Sequence, residues 1–346
     1  MRTFEAATLE GIAAALLGAA GSPGAAAEQV AEMLVWSEQI GHSSHGLLRL
    51  PNYVDRIEKG LLVPAATPTI ERETATTALI DGGWGFGQMS TLAGMDWAIE
   101  KARAVGTATV GVYHLNHVGR LGDFTEMGAR AGLITLVWTG GAPTGVMGDT
   151  APFGGRQPVW GTNPMAIAMP TGDQLFSIDF ATSIIAHGKA SAAAARGVEL
   201  DADYLMDAAG KPTRDPRALT ERGGAIRPFG EHKGYGLAFA IELLCGALIG
   251  GAAPEMKPGE VQNGLFILAI DPACFGSADG FQQAAAAIVD KVKASPPAEG
   301  FDEVLIPGEP EYRQSIRSRE LGISVPDPVI DELTELGRKY GLSLNW

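Results

Sequence analysis

The stretch PMAIAMPTGDQLFSIDF, Pro164 to Phe180, constrains the fold more than any other part of the chain. Two apolar, β-prone runs, Pro164 to Met169 and Leu175 to Phe180, are joined by a turn built on Thr171, Gly172 and Asp173. That connection is too short for a crossover helix, so the two runs must pair antiparallel. A purely parallel, doubly wound sheet is disfavoured. Further β-like runs lie at Thr76 to Asp81, Thr107 to Leu115, Leu133 to Trp138 and Gly264 to Asp271. Helical periodicity occupies Met89 to Ala104, Leu121 to Ala131, a segment from Leu237, and Phe281 to Ala294. Three helices are expected between Thr8 and Glu58, broken near Gly21 to Gly24 and near Gly41 to Ser44, and a last one opened by Asp327 and Pro328 as N-cap and first residue. The expectation is an α/β chain.

Composition narrows the partners. A formal charge of −14 argues against nucleic acid and anionic membrane, which are bound through clustered Lys and Arg. A small anionic ligand therefore needs its own local cations. With two cysteines, Cys245 and Cys274, there is no disulfide framework and no zinc spacing, and a reducing cytoplasm fits. The apolar patch Ile12 to Ala20 follows Glu5 and Glu10, the wrong charge for a secretory signal. The segment Leu237 to Ala253 carries Glu242 inside it and reads as a buried helix.

Familiar ligand signatures are missing. GGWGFG, Gly82 to Gly87, does not fit G-x-G-x-x-G in any register, HGKAS is no phosphate loop, and there is no HExxH or GxSxG. Four other glycine-bearing clusters collect the histidines: SSHGLLRL from Ser43, NHVGRLGDF from Asn116, the run from Pro152 through GTNP to Lys189, and GEHKGYG from Gly230. Such positions, at strand ends and helix starts, leave backbone N–H groups free for phosphate or carboxylate oxygens. If Ser44 caps a helix, His45 and Arg49 stand one turn apart on one face. Arg49 is then suited to grip a carboxylate, His45 to exchange a proton, and Ser44 to fix the ring's tautomer. The competing reading is a capping serine with a solvated histidine and arginine. His117 is placed to touch a cofactor or the reacting group, or simply to cap its loop. A metal site on His114 and His117 lacks further ligands. Lys233 reads equally as a phosphate contact or an ordinary exposed lysine.

Taken together, SHGLLRLPNYVDRIEKG, DGGWGFGQ, NHVGRLGDF, APFGGRQPVWGTNPMAIAMP, DFATS, HKGYGLAFAIELLCGALIG, NGLFILAIDP and VLIPGEPEYR, in that order, resemble the malate/L-lactate dehydrogenase family that is unrelated to the Rossmann-type enzymes. The resemblance implies a non-Rossmann, mixed and largely antiparallel sheet flanked by helices, with a helical domain made from the two ends of the chain, 1–72 with 312–346. It further implies a cofactor-binding α/β domain over 73–225 and a third subdomain over 226–311. The implied reaction is hydride exchange between NAD or NADP and C2 of a small 2-oxo, 2-hydroxy or cyclic 2-imino acid. By the same resemblance Ser44 and His45 supply the proton, Arg49 holds the substrate carboxylate, and Thr162 lies by the substrate. His117, Val118, Gly119, Arg120 and Leu121, then Asp179, Phe180 and Ala181, then His232 and Lys233, and finally Gly308, Glu309 and Arg313 line the cofactor. His117 is also counted with the catalytic group. A homodimer with its active site near the subunit boundary is implied.

The chain departs from its relatives in having Ser43 before the Ser-His pair, Thr139-Gly140-Gly141 after the third strand, and Lys189 where some relatives carry an acid that completes a relay. Two other functions stay open at this point: a catalytically inert nicotinamide-binding homologue, and a hydrolase using Ser44 with His45.

Overall fold

The computed structural model describes residues 1–141, 148–172, 174–250 and 263–346. Within the loop after the third predicted strand, residues 142–147 lie outside that range, as does Asp173 of the predicted hairpin turn. Its backbone is a seven-stranded sheet with a helical layer at one end and a small satellite sheet.

The chain begins with β1 (Arg2–Phe4), α1 (Ala6–Ala19), α2 (Gly24–Gln39) and α3 (Leu50–Glu58), then enters the sheet at β2 (Thr69–Glu73) and β3 (Thr77–Gly85). Next come α4 (Gly87–Val105), β4 (Thr107–Leu115), α5 (Leu121–Arg130), β5 (Ile134–Gly140), β6 (Pro164–Pro170) and β7 (Leu175–Ala181). The satellite holds α6 (His187–Arg196), β8 (Leu205–Met206), β9 (Pro212–Thr213), α7 (Arg217–Thr220) and β10 (Ala225–Ile226). After α8 (His232–Ile241) the chain returns to the sheet as β11 (Asn263–Ile270) and ends with α9 (Ala278–Lys293), α10 (Glu309–Leu321), β12 (Ile323–Val325) and α11 (Asp327–Lys339).

The main sheet runs β2-β3-β4-β11-β5-β6-β7, and β3–β4 is its one parallel hydrogen-bonded pair among the described strands. The expected hairpin is present, with Pro164 opposite Ala181 and Pro170 opposite Leu175. β4 and β5 point the same way but do not touch, because β11 slides between them antiparallel to both. Part of the 226–311 segment thus stands at the centre of the sheet. The reason is visible in its sequence: GLFILAI is apolar at successive positions and so on both faces, as suits a central strand covered on each side.

Alternation decides the layers. Ala108, Val110 and Val112 of β4, with Leu265, Ile267 and Ala269 of β11, face α4 and α5 and are shut off from solvent with Met95, Ala98 and Phe124. On the opposite face Trp138, Ile167 and Phe266 meet Ile241 and Cys245. Here α8 widens into a π turn, Glu242–Leu248, whose backbone presses on the sheet. A Cβ on Gly264 would stand 1.8 Å from the Cys245 carbonyl oxygen, so glycine is what admits the helix there. The half-buried Glu242 accepts from the Asn163 amide, Nδ2 to Oε1 2.7 Å.

The helical layer joins both ends of the chain. Leu16, Leu17, Val30, Leu34 and Leu50 share one core with Val325, Ile330 and Leu333, and β1 pairs with β12. The last helix starts at Asp327 with Pro326 as its cap, one residue before the predicted cap. No described helix is long and apolar enough to cross a membrane.

Gly264→Ala is expected to destabilise the protein by about 1–3 kcal/mol, the usual range for overpacking a filled interior. Urea unfolding followed by tryptophan fluorescence measures it, and an unchanged midpoint would show that the π turn can retreat from the sheet.

Candidate active site

The predicted helix cap at Ser44 is replaced by something more bent. After α2 the chain reverses at Gly41, φ +86°, and makes one 3₁₀ turn over Ser43–His45 and a second over Leu47–Arg49, with α3 beginning only at Leu50. The break between the turns is Gly46, at φ −95° and ψ −143°. Its cause is Glu38, in the last turn of α2, whose Oε1 accepts the Leu47 N–H at 2.8 Å. A Cβ on Gly46 would stand 2.2 Å from that oxygen. His45 and Arg49 therefore sit on successive 3₁₀ turns rather than on one α-helical face. Arg49 Nε donates to the Ser44 carbonyl at 2.7 Å, which folds the guanidinium back over the turn that carries His45.

Three rings meet at this bend. The His45 and His117 rings stack with centroids 5.6 Å apart and planes inclined by 17°. Ser44 Oγ lies 3.1 Å from His45 Nδ1, and the Tyr53 hydroxyl 2.7 Å from His117 Nδ1. Behind Tyr53, Gln88 Nε2 donates to the phenol oxygen at 2.8 Å. Burial, then the charges of Arg49, His42 and Arg120, bring the His45 imidazole down to about 4. His117 is held well below the usual range by burial first, then by Arg49 and His45. Both rings are therefore neutral near pH 7. Arg49 shows no hydrogen bond from its terminal nitrogens among the described residues, which leaves the fork of the guanidinium for a ligand.

Beside the rings lies a buried charge network. Arg120, 3% exposed, donates to Asp123 at 2.7 Å and to Glu126 at 2.9 Å. Its Nε, 3.9 Å from Asp179, makes no hydrogen bond. Burial opposes the Arg120 charge, but the three acids together hold it firmly on, while burial lifts Asp123 to about 6 and raises Asp179 as well. Asp179 in turn accepts the Gly122 N–H at 2.8 Å, at the start of α5. Arg120, Ser177 and Gly308, with the aromatic walls of Trp36 and Tyr312, line a cavity of about 390 Å³. Glu311 on its rim pairs with His42 at 3.3 Å. A space of that size with an aromatic wall is large enough for part of a dinucleotide.

The remaining predicted residues divide by surroundings. Val118 and Leu121 turn their side chains into the sheet core, leaving only backbone for a ligand. Gly119, φ +85°, makes the bend between them. Phe180 is partly exposed and meets Phe229 edge-on, while Ala181 pairs with Pro164. The Thr162 carbonyl is held by the Thr182 N–H and hydroxyl. His232 and Lys233 are exposed at the start of α8, with Phe153 edge-on to the His232 ring. Gly308, φ +93°, packs on Ser177 and caps α10. Glu309 and Arg313 are engaged with each other, with Lys293 and with Glu303. Lys189 pairs with Asp201 and covers the Tyr204 ring, so it takes no part in the Ser44–His45 bond.

Tyr53, Gln88 and Glu38 were not picked out as site residues by the sequence. Tyr53 had a signal, its place four residues after Arg49 on the same rhythm; Gln88 and Glu38 had none, since their contacts are long-range. His114 bonds Asp81 at 3.1 Å, and no described group of His, Cys, Asp and Glu could hold a metal.

Against known proteins, residues 4–334 match the family model for malate/L-lactate dehydrogenase, and the chain belongs to that family. It is 36% identical to the L-sulfolactate dehydrogenase of Methanothermobacter thermautotrophicus over 95% of this chain and 94% of that one. It superposes on the sulfolactate dehydrogenase of Methanocaldococcus jannaschii with a TM-score of 0.88 at 34% identity, covering 99% of this chain and 98% of the other. Against the Δ1-piperideine-2-carboxylate reductase of Pseudomonas syringae the TM-score is 0.86 at 30% identity, over 97% and 100% of the two chains. The mixed sheet expected from the resemblance is thus found, and the chain is an oxidoreductase of the hydroxy-acid and imino-acid class. Neither the inert binder nor the hydrolase is favoured by these relatives.

Glu38 carries a measurable consequence. It is buried at the negative end of α2, and burial raises its carboxyl above 4.5 against the opposing hydrogen bonds from Ser43 and Leu47. The folded protein then binds this proton more tightly than the unfolded chain, so ionising Glu38 costs stability as pH rises through the folded value. Glu38→Gln keeps an acceptor for Leu47 and removes the charge. It is expected to raise stability at pH 7, with the gain closing as pH falls below 4.5, as read by denaturant unfolding across pH.

Proposed function

We propose that the protein is an NAD(P)-dependent oxidoreductase that exchanges hydride between a nicotinamide and C2 of a small 2-oxo/2-hydroxy acid or cyclic 2-imino acid. The observation that carries the reading is the stacked His45–His117 pair with the Arg49 fork beside it. Arg49 grips the substrate carboxylate, and Thr162 lies along the substrate. His45, with Ser44 on its Nδ1, gives a proton to the oxygen or nitrogen leaving the double bond in reduction and takes it back in oxidation. The dinucleotide, when bound, supplies or accepts the hydride. His117 to Leu121, Asp179 to Ala181, His232 with Lys233, and Gly308, Glu309 and Arg313 are the residues assigned to hold it.

A neutral His45 raises a question of timing that Arg49 answers. The positive guanidinium is the second cause of the depressed imidazole, after burial. A carboxylate on Arg49 cancels that charge, and the ring becomes easier to protonate only when substrate is present. Substrate binding and loading of the acid are in this way one event. The site also suits a homodimer: α8 and its π turn leave Leu237, Phe239, Leu243 and Leu248 exposed to solvent. A cytoplasmic location agrees with the two free cysteines.

Two measurements test this reading. In steady-state assays with pyruvate, oxaloacetate, sulfopyruvate and the two cyclic imino acids, each with both cofactors, His45→Ala should lower kcat by about 10²–10⁴. Arg49→Ala should act mainly on KM, by a factor of about ten or more. Normal turnover of His45→Ala in both directions would remove His45 as the proton donor. Separately, oxamate binding to the cofactor-loaded enzyme at pH 6 should draw protons from solution, because the His45 value rises from about 4. Calorimetry in buffers of different ionisation heat reads the sign, and proton release in place of uptake would contradict the coupling.

A further inference from the structure

Gln88 and Tyr53, which stand behind His117, have no role assigned above, and both side chains are almost completely shut off from solvent. Gln88 is 1% exposed and Tyr53 also 1%. Tyr53 keeps its ring against Phe86, edge-on with centroids 6.0 Å apart, and burial holds its phenol protonated far above neutral pH. A protonated phenol has one hydrogen to give and can accept in return. Gln88 Nε2 donates into the phenol oxygen at 2.8 Å, so the phenol hydrogen is left for His117 Nδ1 at 2.7 Å. Turning the Gln88 amide over would reverse the chain. It would also place an NH₂ group where Oε1 now sits buried without a hydrogen-bond partner, setting two donors in place of one acceptor.

We propose that Gln88 and Tyr53 are positioning residues that lock His117 as the neutral tautomer with its proton on Nε2, making it a standing hydrogen-bond donor to the reacting group while His45 alone carries the exchangeable proton. The two stacked imidazoles thereby acquire different work. His45 has a hydroxyl on Nδ1 that can rotate to give or accept, since Ser44 is exposed. His117 has a hydroxyl on Nδ1 whose direction is set from behind. Protonating His117 would require breaking the bond from Tyr53, so the ring stays neutral, and a neutral donor can polarise a carbonyl or imine without taking part in proton exchange. That consequence for catalysis rests on the proposed reaction; the tautomer does not.

The test is the nitrogen spectrum of the full-length protein with ¹⁵N-labelled histidine at neutral pH, the His117 signals being identified by their loss in His117→Asn. The expected pattern in the unmutated protein is a bare Nδ1 and a protonated Nε2. In Tyr53→Phe, which keeps the packed ring, and in Gln88→Met, which keeps the length, the pattern should become a mixture of tautomers. Turnover of Tyr53→Phe should fall about tenfold, the weight of one ordinary hydrogen bond, with KM for the carboxylate substrate nearly unchanged. A proton on Nδ1 in the unmutated protein would overturn the proposal whether or not the variants fold, as would an unchanged pattern in both variants. Absence of turnover on every 2-oxo and imino acid would overturn the reaction and leave the tautomer measurement intact, so the two failures are distinguishable.

Discussion

A carboxylate under a glycine organises this site. Glu38 takes the Leu47 N–H that a regular helix would have given to a carbonyl one turn back, and in doing so splits what would be one helix into two 3₁₀ turns. Everything at the bend follows from that capture. Gly46 must lack a side chain to lie over the carboxyl, Ser44 and His45 are carried on the first turn, and Arg49 on the second reaches back to the Ser44 carbonyl. An uninterrupted helix from Ser44 would have placed the imidazole and guanidinium on a smooth surface. The break lets His45 meet a ring from a different part of the fold.

That second ring is delivered by the sheet. His117 stands on the turn after β4, and β4 can present it because β11 and β3 hold the strand from both sides. The turn itself is pinned where α4 begins: a Cβ on Gly87 would meet the backbone carbonyls of Asn116 and His117 at 2.4 and 2.5 Å. Asn116 is fixed in turn, its amide donating to the Trp84 and Leu61 carbonyls and its oxygen accepting from Arg56. Helical layer and sheet therefore join through hydrogen bonds from α3 as well as through apolar contact, and the two histidines lie at that join. A cleft between two layers is where a pocket forms most readily in an α/β protein.

How far the sequence disclosed this depends on the range of the interaction. The antiparallel pair β6–β7 was legible because a short turn leaves the chain no other geometry, and β4, β5 and β11 because unbroken apolar runs have few other uses. His45, Arg49 and His117 stood out through residue type beside glycine. The break at Gly46 was not legible. From sequence alone SSHGLLRL reads as a cap and a helix, and the acceptor that interrupts it comes from α2, nine residues away. Gln88 escaped for a similar reason, being unremarkable on its own helix, and the place of Tyr53 four residues after Arg49 did not disclose the chain of bonds between α4, α3 and the loop after β4. The position of β11 between β4 and β5 was equally hidden, since strand order is a property of the whole sheet.

The electrostatics of the site favour restraint until a ligand arrives. Two imidazoles, one free guanidinium and a buried Arg120 lie close together, and the cations disfavour further positive charge on the rings. Arg120 does not add its full charge, because Asp123, Glu126 and Asp179 gather round it. Arg49 has no such acids. It is the one cation at the bend that is uncompensated among the described residues, in a protein whose net charge is −14. An anionic carboxylate is then drawn to a single point against the overall field of the molecule, which repels it. Under the proposed reaction, Arg49 is the point at which a substrate carboxylate would be held beside the reacting carbon.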